Sequence, residues 1–386
     1  MELRRFNVFA FLCFVWIISS CSVTRRTGTI QSHTSITAIK FLAEYDIPFS
    51  FTYSNTTVGG LSGIDYDSAH HCYYLISDDR SAINPARFYT ANIYLTEKGI
   101  DSVRFIAVNN MLQQGGSPYP NNKKDPYNTP DPEAIRYDPL RKQLLWSSEG
   151  ERITREKDTV LSDPAIWLID LDGKFIDSFS MPPNLHMQAA ESGPRQNSVF
   201  EGISFADNYR SLFVSVEEPL YEDGPRAEVT DNGAYIRILK FDLESKKNSS
   251  QYAYKLAPVA LPSKPVTAFK INGVPDILYI GNDKLLVIER SFSTGQLASN
   301  IKIFIADLSL ATDIKNIPSL MENKKFIAAT KKLLLNMDEL GIYTDNIEGV
   351  TFGPILPNGH QTLLFVADNN FNPLEKTQLL LFEVIE

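Results

Sequence analysis

The sequence predicts an all-β fold, a β-propeller of five four-stranded blades. Three observations predict it: a strand-turn-strand pattern recurs five times, two further strand-like runs separate consecutive copies, and single runs are left over at both ends. The copies are Leu61-Ser62-Gly63-Ile64 with Tyr74-Leu75-Ile76-Ser77-Asp78, and Pro132-Glu133-Ala134-Ile135 with Leu145-Trp146-Ser147-Ser148-Glu149. The third is Phe200-Glu201-Gly202-Ile203 with Phe213-Val214-Ser215-Val216-Glu217. A weaker fourth is Pro275-Asp276-Ile277 with Leu286-Val287-Ile288-Glu289, and the fifth is Ile347-Glu348-Gly349-Val350 with Phe365-Val366-Ala367-Asp368.

Each second run ends in an acid, and the spacing from Asp78 through Glu149, Glu217 and Glu289 to Asp368 is 71, 68, 72 and 79 residues. So regular a period marks a structural unit. The intervening pairs, such as Ala86 to Leu95 with Val103 to Val108, bring each unit to four strands. At the ends, Gln378 to Ile385 lacks a partner and Ile39 to Ile47 can supply it, which closes the ring and removes the open sheet edges. The irregular stretch 310 to 345 leaves room for a sixth, degenerate blade as the alternative, and Ser319 to Leu340 is the one stretch with a helical period.

Composition bounds the function. The 386 residues are 43% hydrophobic and 22% charged, ordinary for a globular chain, and the net charge of −9 argues against a nucleic-acid partner. Arg4 and Arg5 precede an apolar run from Phe6 to Ile18, the length of a signal-peptide core and short for a membrane span. Ile18-Ser19-Ser20-Cys21 then looks like a bacterial lipobox, so the expectation is an exported lipoprotein anchored through Cys21, periplasmic or facing the cell surface. Residues 21 to 38 read as a lipidated tether and 39 to 386 as the propeller domain. Cys13 leaves with the signal and Cys21 carries lipid, so Cys72 has no disulfide partner.

In a blade the first strand lies nearest the axis and the second runs antiparallel beside it, so the start of one and the end of the other share a face. That gathers two sets of acids at one mouth: Glu133, Glu201, Asp276 and Glu348, with Ser62 at the equivalent place in blade 1, and Asp78, Glu149, Glu217, Glu289 and Asp368. So many carboxylates at short range require counter-charge. Arg80, Arg152 and Arg290 follow their blades' acids closely, and a hard divalent cation with oxygen ligands, Ca²⁺ first, would take the rest. For any one acid, strand-end capping or pairing with a neighbouring Arg is the structural alternative. Other chemistries fail on spacing. The residue six after Cys72 is Asp78 where a Cys-x5-Arg loop needs Arg, Gly60-Leu61-Ser62-Gly63 lacks the last glycine of a nucleophile elbow, and the five histidines show no zinc spacing.

With these residues in view, the chain resembles the bacterial phytase-like family, whose domain is described as having esterase-like activity of phytase. The resemblance spans nearly all of residues 40 to 386. It rests on Gly59-Gly60-Leu61-Ser62-Gly63-Ile64-Asp65-Tyr66-Asp67, Ser77-Asp78-Asp79-Arg80, Pro85-Ala86-Arg87-Phe88-Tyr89, Asp131-Pro132-Glu133, Leu286-Val287-Ile288-Glu289-Arg290, Asn346-Ile347-Glu348-Gly349 and Val366-Ala367-Asp368-Asn369-Asn370. It implies an exported hydrolase of phosphate or carboxylic esters acting on a small anionic ester. The related β-propeller phytases use calcium in an acidic mouth, but they are six-bladed with their own calcium-site sequence, and no lysine-rich phosphate pocket is present in this chain. On this reading Glu133, Glu149, Glu201, Glu217 and Glu348 are the catalytic carboxylates, and Asp78, Glu149, Glu217, Asp276, Glu289 and Asp368 hold metal. Arg80, Arg87 and Arg290 hold the anion, because a guanidinium fork suits phosphate. A non-catalytic propeller that binds a carbohydrate, peptide or protein partner through the same mouth is the second reading.

Overall fold

In the computed structural model, which describes residues 35–96, 99–155 and 157–386, the chain forms five sheets arranged as blades. Blade 1 runs from the axis outward as Leu61–Asp67, Cys72–Ser77, Arg87–Thr96 and Gly99–Asn110. Blade 2 is Pro132–Asp138, Gln143–Ser148, Ala165–Ile169 and Phe175–Ser178, and blade 3 is Phe200–Ala206, Ser211–Val216, Tyr235–Asp242 and Lys247–Lys255. In blade 4 the long strand Lys284–Ser293 pairs inward with two short strands, Lys270–Gly273 and Ile277–Gly281, and outward with Asn300–Asp307 and Thr330–Asn336. Blade 5 is Asn346–Ile355, Gln361–Asp368 and Thr377–Ile385, and its outermost strand is the N-terminal Ala38–Ile47, antiparallel to Thr377–Ile385. The ring is thus closed as the sequence predicts.

The stretch 310 to 345 is not a sixth blade. It contains the outer strand of blade 4 and a 3₁₀ turn at Met337–Leu340, while Ile314 and Leu320 pack on Ala253 of blade 3. The helical period over Ser319 to Leu340 is therefore overridden: Thr330–Asn336 pairs with Asn300–Asp307 instead. Two short hairpins escape the sequence reading, Thr52–Tyr53 with Thr56–Thr57 and Glu151–Arg155 with Asp158–Ser162.

The core is a set of wedges between neighbouring blades, because the inner strands are buried on both faces. Leu75, Tyr89 and Leu381 pack between blades 5 and 1, Ile76, Phe88 and Trp146 between 1 and 2, and Leu145, Val214 and Phe241 between 2 and 3. Phe213, Ile238 and Val287 fill the space between blades 3 and 4, and Ile288, Ile303, Phe365 and Phe382 that between 4 and 5. Near the axis the inner strands approach so closely that a Cβ on Gly202 would lie 2.6 Å from the Asp276 Cα. Below the mouth a buried pair ties the ring together: the Arg136 guanidinium donates to both oxygens of Asp276 at 2.8 and 2.7 Å and to the Ile64 carbonyl at 2.7 Å, and Asp276 also accepts from the Val350 amide at 2.8 Å. One contact set therefore spans blades 1, 2, 4 and 5.

Candidate functional site: an acidic ring at one mouth

The acids are placed by a defect shared by the inner strands. Each of blades 1, 2, 3 and 5 shifts register at the same point, between Leu61 and Gly63, Pro132 and Ile135, Phe200 and Ile203, and Ile347 and Gly349. A β-bulge re-aims the extra residue, and the residues at these bulges include Ser62, Glu133, Glu201 and Glu348. The local hydrogen bonds remain satisfied: the hydroxyls of Ser147 and Ser215 accept from the amides of Ala134 at 3.0 Å and Gly202 at 3.2 Å. Beside them, Asp78, Glu149, Glu217 and Asp368 stand at or just beyond the ends of the second strands, all buried or nearly so. Gly60, at φ 60°, lets the preceding loop cross this ring, since a Cβ there would fall 1.9 Å from Asp78 Oδ1.

Of these, Asp78, Glu133, Glu201, Glu217, Glu348 and Asp368 line a cavity of about 750 Å³ together with Arg80, Asp131, Arg290 and Asn346, while Glu149 is buried and does not line it. Two triads of carboxylates each have ligand atoms within 4.8 Å of one another, Asp131–Glu133–Glu149 and Glu149–Glu201–Glu217, so Glu149 belongs to both. Counter-charge from the chain reaches only part of the ring. Arg290 lies between Glu217, at 2.9 Å, and Glu348, while Arg80 pairs with Glu151 and lies 3.4 Å from Asp131. No Lys or Arg bridge reaches Asp78, Glu133, Glu149, Glu201 or Asp368 among the described residues. Buried Oδ1 of Asp78 and Oε2 of Glu149 have no hydrogen-bond partner. Glu149 Oε1 accepts from the Val199 amide, and Asp368 Oδ1 accepts from the Asn370 amide at 2.9 Å.

Electrostatics follows from that imbalance. Burial, and then repulsion from Glu201, push Glu133 far above the usual carboxylate range. Burial, and then Glu149 and Glu217, do the same to Glu201; burial and then Glu348 raise Asp78, and burial and then Asp78 raise Asp368. Glu149 is pushed up to about 8 and Asp131 to about 6, in both cases chiefly by burial. Arg290, though buried, is held firmly protonated by Glu348 and Glu217. Hard oxygen donors, two of them buried without a partner, fit a divalent cation; the acidic clusters are able to hold a metal.

Four residues that the sequence places at this mouth lie elsewhere. Asp276 belongs to the buried Arg136 pair described above. Glu289 turns to the opposite side of its strand, accepting from the Tyr254 hydroxyl at 2.7 Å, the Ala257 amide at 2.9 Å, Asn272 at 2.8 Å and Lys331. Arg87 starts the third strand of blade 1, too far from the axis to reach the mouth, and its buried guanidinium donates to Asp79 and to the Thr57 carbonyl, both at 2.8 Å. Arg152 donates to the Gln188 carbonyl at 2.8 Å and covers the Tyr221 ring.

Register explains the two acids. The pairs Ile135 with Trp146, Ile203 with Val214 and Val350 with Phe365 correspond to Ile277 with Val287 in blade 4. The ring acid is two residues before the first partner and three after the second, which in blade 4 are Pro275 and Arg290. Asp276 and Glu289 are each one residue off, and one residue reverses a strand side chain. Asp131, Glu151 and Asn346 are site residues that sequence reasoning missed; Asp131 and Asn346 carry a signal, both standing two residues before a ring glutamate.

A closed five-bladed propeller with a buried carboxylate ring at one mouth is the class that fold and site define. The chain belongs to the phytase-like family described as esterase-like activity of phytase, whose sequence profile matches residues 56–371. No curated protein matches the chain. Among solved structures it is similar to an endo-arabinase from Bacteroides thetaiotaomicron, with 13% identity over 89% of this chain and 97% of that one, TM-score 0.42. It is also similar to a thermostable family-43 glycoside hydrolase, with 10% identity over 87% and 93%, TM-score 0.45, and to an α-L-arabinofuranosidase from Lactobacillus brevis, with 9% identity over 88% and 92%, TM-score 0.42. Likenesses of this size say nothing about substrate.

Proposed function

We propose that the protein is an exported hydrolase that cleaves small anionic esters, phosphoesters first, with the help of a divalent cation, Ca²⁺ first, at the acidic mouth. The observation that carries this reading is the pair of carboxylate triads sharing Glu149, one of whose buried oxygens has no partner. Glu133, Asp131, Glu201 and Glu217 are the residues that would hold the cation with Glu149. When bound, the cation would supply positive charge that draws an anionic substrate to an acidic surface and would lower the pKa of water beside it.

The chain's own residues do the rest. Glu149 and Glu201 belong to one triad whose oxygens lie within 4.8 Å of one another. With a cation offsetting the repulsion from Glu149 and Glu217 that raises it, Glu201 would be free to take a proton from an attacking water. Arg290 fixes Glu217 and Glu348 in position, and Arg80 fixes Asp131 and Glu151. Cys21, which lies outside the described residues as does the signal segment, would tether the enzyme to a membrane through lipid. A Cys21→Ser chain should then leave the membrane fraction.

The test of the central reading is hydrolysis of a phosphomonoester, phosphodiester and carboxylester panel with EDTA or added Ca²⁺, Mg²⁺ or Mn²⁺, in wild type, Glu201→Gln and Glu348→Gln. Cation-dependent turnover that both variants abolish, together with their stabilisation by cation, is the expected result. Full activity in EDTA or in Glu201→Gln would overturn it, and cation stabilisation without any turnover would leave the mouth as a binding site.

A further inference from the structure

One side of the mouth is unlike the rest. The blade 4 strand Lys284–Ser293 does not stop at the ring position Arg290 but continues to Ser293, paired with Lys270–Gly273. Side chains alternate along a strand, so Phe292 is on the same face as Arg290, and Ile271 stands directly across from it. Phe269, one residue before the short strand, brings its ring centroid to 6.3 Å from that of Phe292, and the loop beyond carries Leu297. All four line the same cavity as the carboxylates. Three of them are largely exposed, Phe269 at 51%, Phe292 at 40% and Leu297 at 97%, while Ile271 is buried.

This ledge is braced from behind. The Thr294 amide donates to the Phe269 carbonyl at 3.0 Å, the Lys264 amide to the Thr294 carbonyl at 2.8 Å, and the Ser293 hydroxyl to the Leu261 carbonyl at 2.6 Å. The chain thus holds an apolar surface in water at the entrance of a charged site, which costs free energy unless something covers it. Its occupant must also reach the ring, since ledge and carboxylates share one cavity.

The arginines of the cavity narrow the occupant further. Arg80, Arg290 and Arg226 each already face a carboxylate, Arg226 lying 3.0 Å from Glu218. No lysine lines the cavity among the described residues. A highly phosphorylated polyol would therefore meet many carboxylates and no spare cation from the chain, and would leave the ledge bare.

We infer that the substrate is a singly esterified anion whose alcohol is apolar, aryl or alkyl, with its anionic head at the ring and its alcohol on the Phe269–Ile271–Phe292–Leu297 ledge. This rests on the hydrolase reading above and names its substrate class. In the reaction, water oxygen bonds to phosphorus as the P–O bond to the alcohol breaks. The departing oxygen takes up a proton and the alcohol leaves along the ledge, giving inorganic phosphate and a free apolar alcohol.

Two measurements on the full domain with Ca²⁺ present test it. In calorimetry, 1-naphthyl phosphate should bind at least tenfold tighter than glycerol 1-phosphate, and Phe269→Ser/Phe292→Ser and Leu297→Ser should each shrink that ratio toward one. In turnover, the ratio of kcat/KM for 1-naphthyl phosphate over glycerol 1-phosphate should fall about tenfold or more in the same variants, with the loss in KM. A preference for glycerol 1-phosphate or phytate, or a ratio untouched by the substitutions, overturns the ledge as a subsite. So does a ledge that governs vesicle binding while the ligand ratio stays constant. If no ester is hydrolysed, the hydrolase reading fails by itself. The ledge is then judged on binding alone, where equal or absent affinity for the two ligands counts against it.

Discussion

Removing divalent cation while raising the pH should destabilise this fold in a way that ordinary acidic proteins do not show. Glu149 has an ordinary pKa of 4.5 when exposed and about 8 in the ring. An unfolded chain releases that proton near 4.5, whereas the folded one keeps it until about 8. Between those values the folded state binds more protons, so stability falls as pH rises and is fully lost to this group above the folded value. At about 1.4 kcal/mol for each pH unit, Glu149 costs roughly 5 kcal/mol at pH 8 or above. Asp131, raised from 3.8 to about 6, acts in the same direction at lower pH. The two share their repulsion, so about 5 kcal/mol is the scale for the ring rather than for one residue.

With an unfolding entropy of about 2.1 cal/mol/K per residue over roughly 350 residues, that loss lowers the melting midpoint by about 7 °C. In EDTA the midpoint should therefore drop between pH 5 and pH 8. Added Ca²⁺ at about a hundred times its Kd should restore about 2.7 kcal/mol at pH 8 and little at pH 5, where protons compete for the same oxygens. Calorimetric melts across this window, in EDTA and in Ca²⁺, provide the assay. Glu149→Gln is the control and should flatten both dependences. A cation-free midpoint that holds steady or climbs from pH 5 to 8 would refute the reasoning, because the ring would then have to be neutralised by groups other than protons or metal.

Other perturbations separate the ring from its scaffold. Arg290→Met should cost about 3–5 kcal/mol in urea unfolding at pH 8 by stranding Glu217 and Glu348, with a smaller cost at pH 5; equal losses at both would argue against the charge mechanism. Arg136→Met should cost a similar amount by stranding Asp276, yet keep the cation-dependent rise in midpoint, since that pair lies off the ring. Gly60→Ala should lower the melting midpoint, because its Cβ would displace Asp78 at a positive φ, yet keep the cation-dependent rise, since Asp78 lies outside both triads; loss of that rise would show that Asp78 helps hold the cation. A chain lacking residues 1–47 should lose cooperative unfolding and aggregate, for it leaves the edge of Thr377–Ile385 uncovered.

What the sequence could show depended on period. The blades are repeats whose apolar alternation and spacing are local, so the five-fold count and the closing N-terminal strand are legible directly. The ring was legible as far as acids were compared with acids, which is sound in blades 2, 3 and 5, where Glu133, Glu201 and Glu348 occupy one bulge position. Blade 4 misleads because acids stand one residue from each ring position, at Asp276 and Glu289. Alignment on the hydrophobic pair Ile277 and Val287 instead puts Pro275 and Arg290 in the ring. Arg87 could not be placed from sequence at all, since whether a third strand reaches the axis is a matter of tertiary distance. Its partner Asp79 lies in the turn just beyond blade 1's second strand and binds three backbone amides of the following loop as well.

That one-residue difference in blade 4 makes the ring polar in the geometric sense. Arg290 neutralises the side formed by Glu217 and Glu348, and the carboxylates without a guanidinium are Glu133, Glu149 and Glu201 of blades 2 and 3 together with Asp78 and Asp368 of blades 1 and 5. Glu217 belongs both to the Arg290 pair and to the Glu149–Glu201 triad, so a cation held there would stand beside Arg290, and an anionic head would meet both positive charges on the Glu217 side of the cavity. The apolar ledge rises from the same strand as Arg290, two residues further on. The strand that carries a guanidinium at its ring position is thus also the strand that runs on past it, and charge and shape differ together at one blade. An Arg290→Glu exchange, which would restore the five-fold acidic pattern, should strengthen cation stabilisation at pH 8 while weakening retention of 1-naphthyl phosphate. Calorimetry with Ca²⁺ and with the ligand, on the same variant, measures both; a parallel change in the two would mean that the anion is not held between cation and arginine.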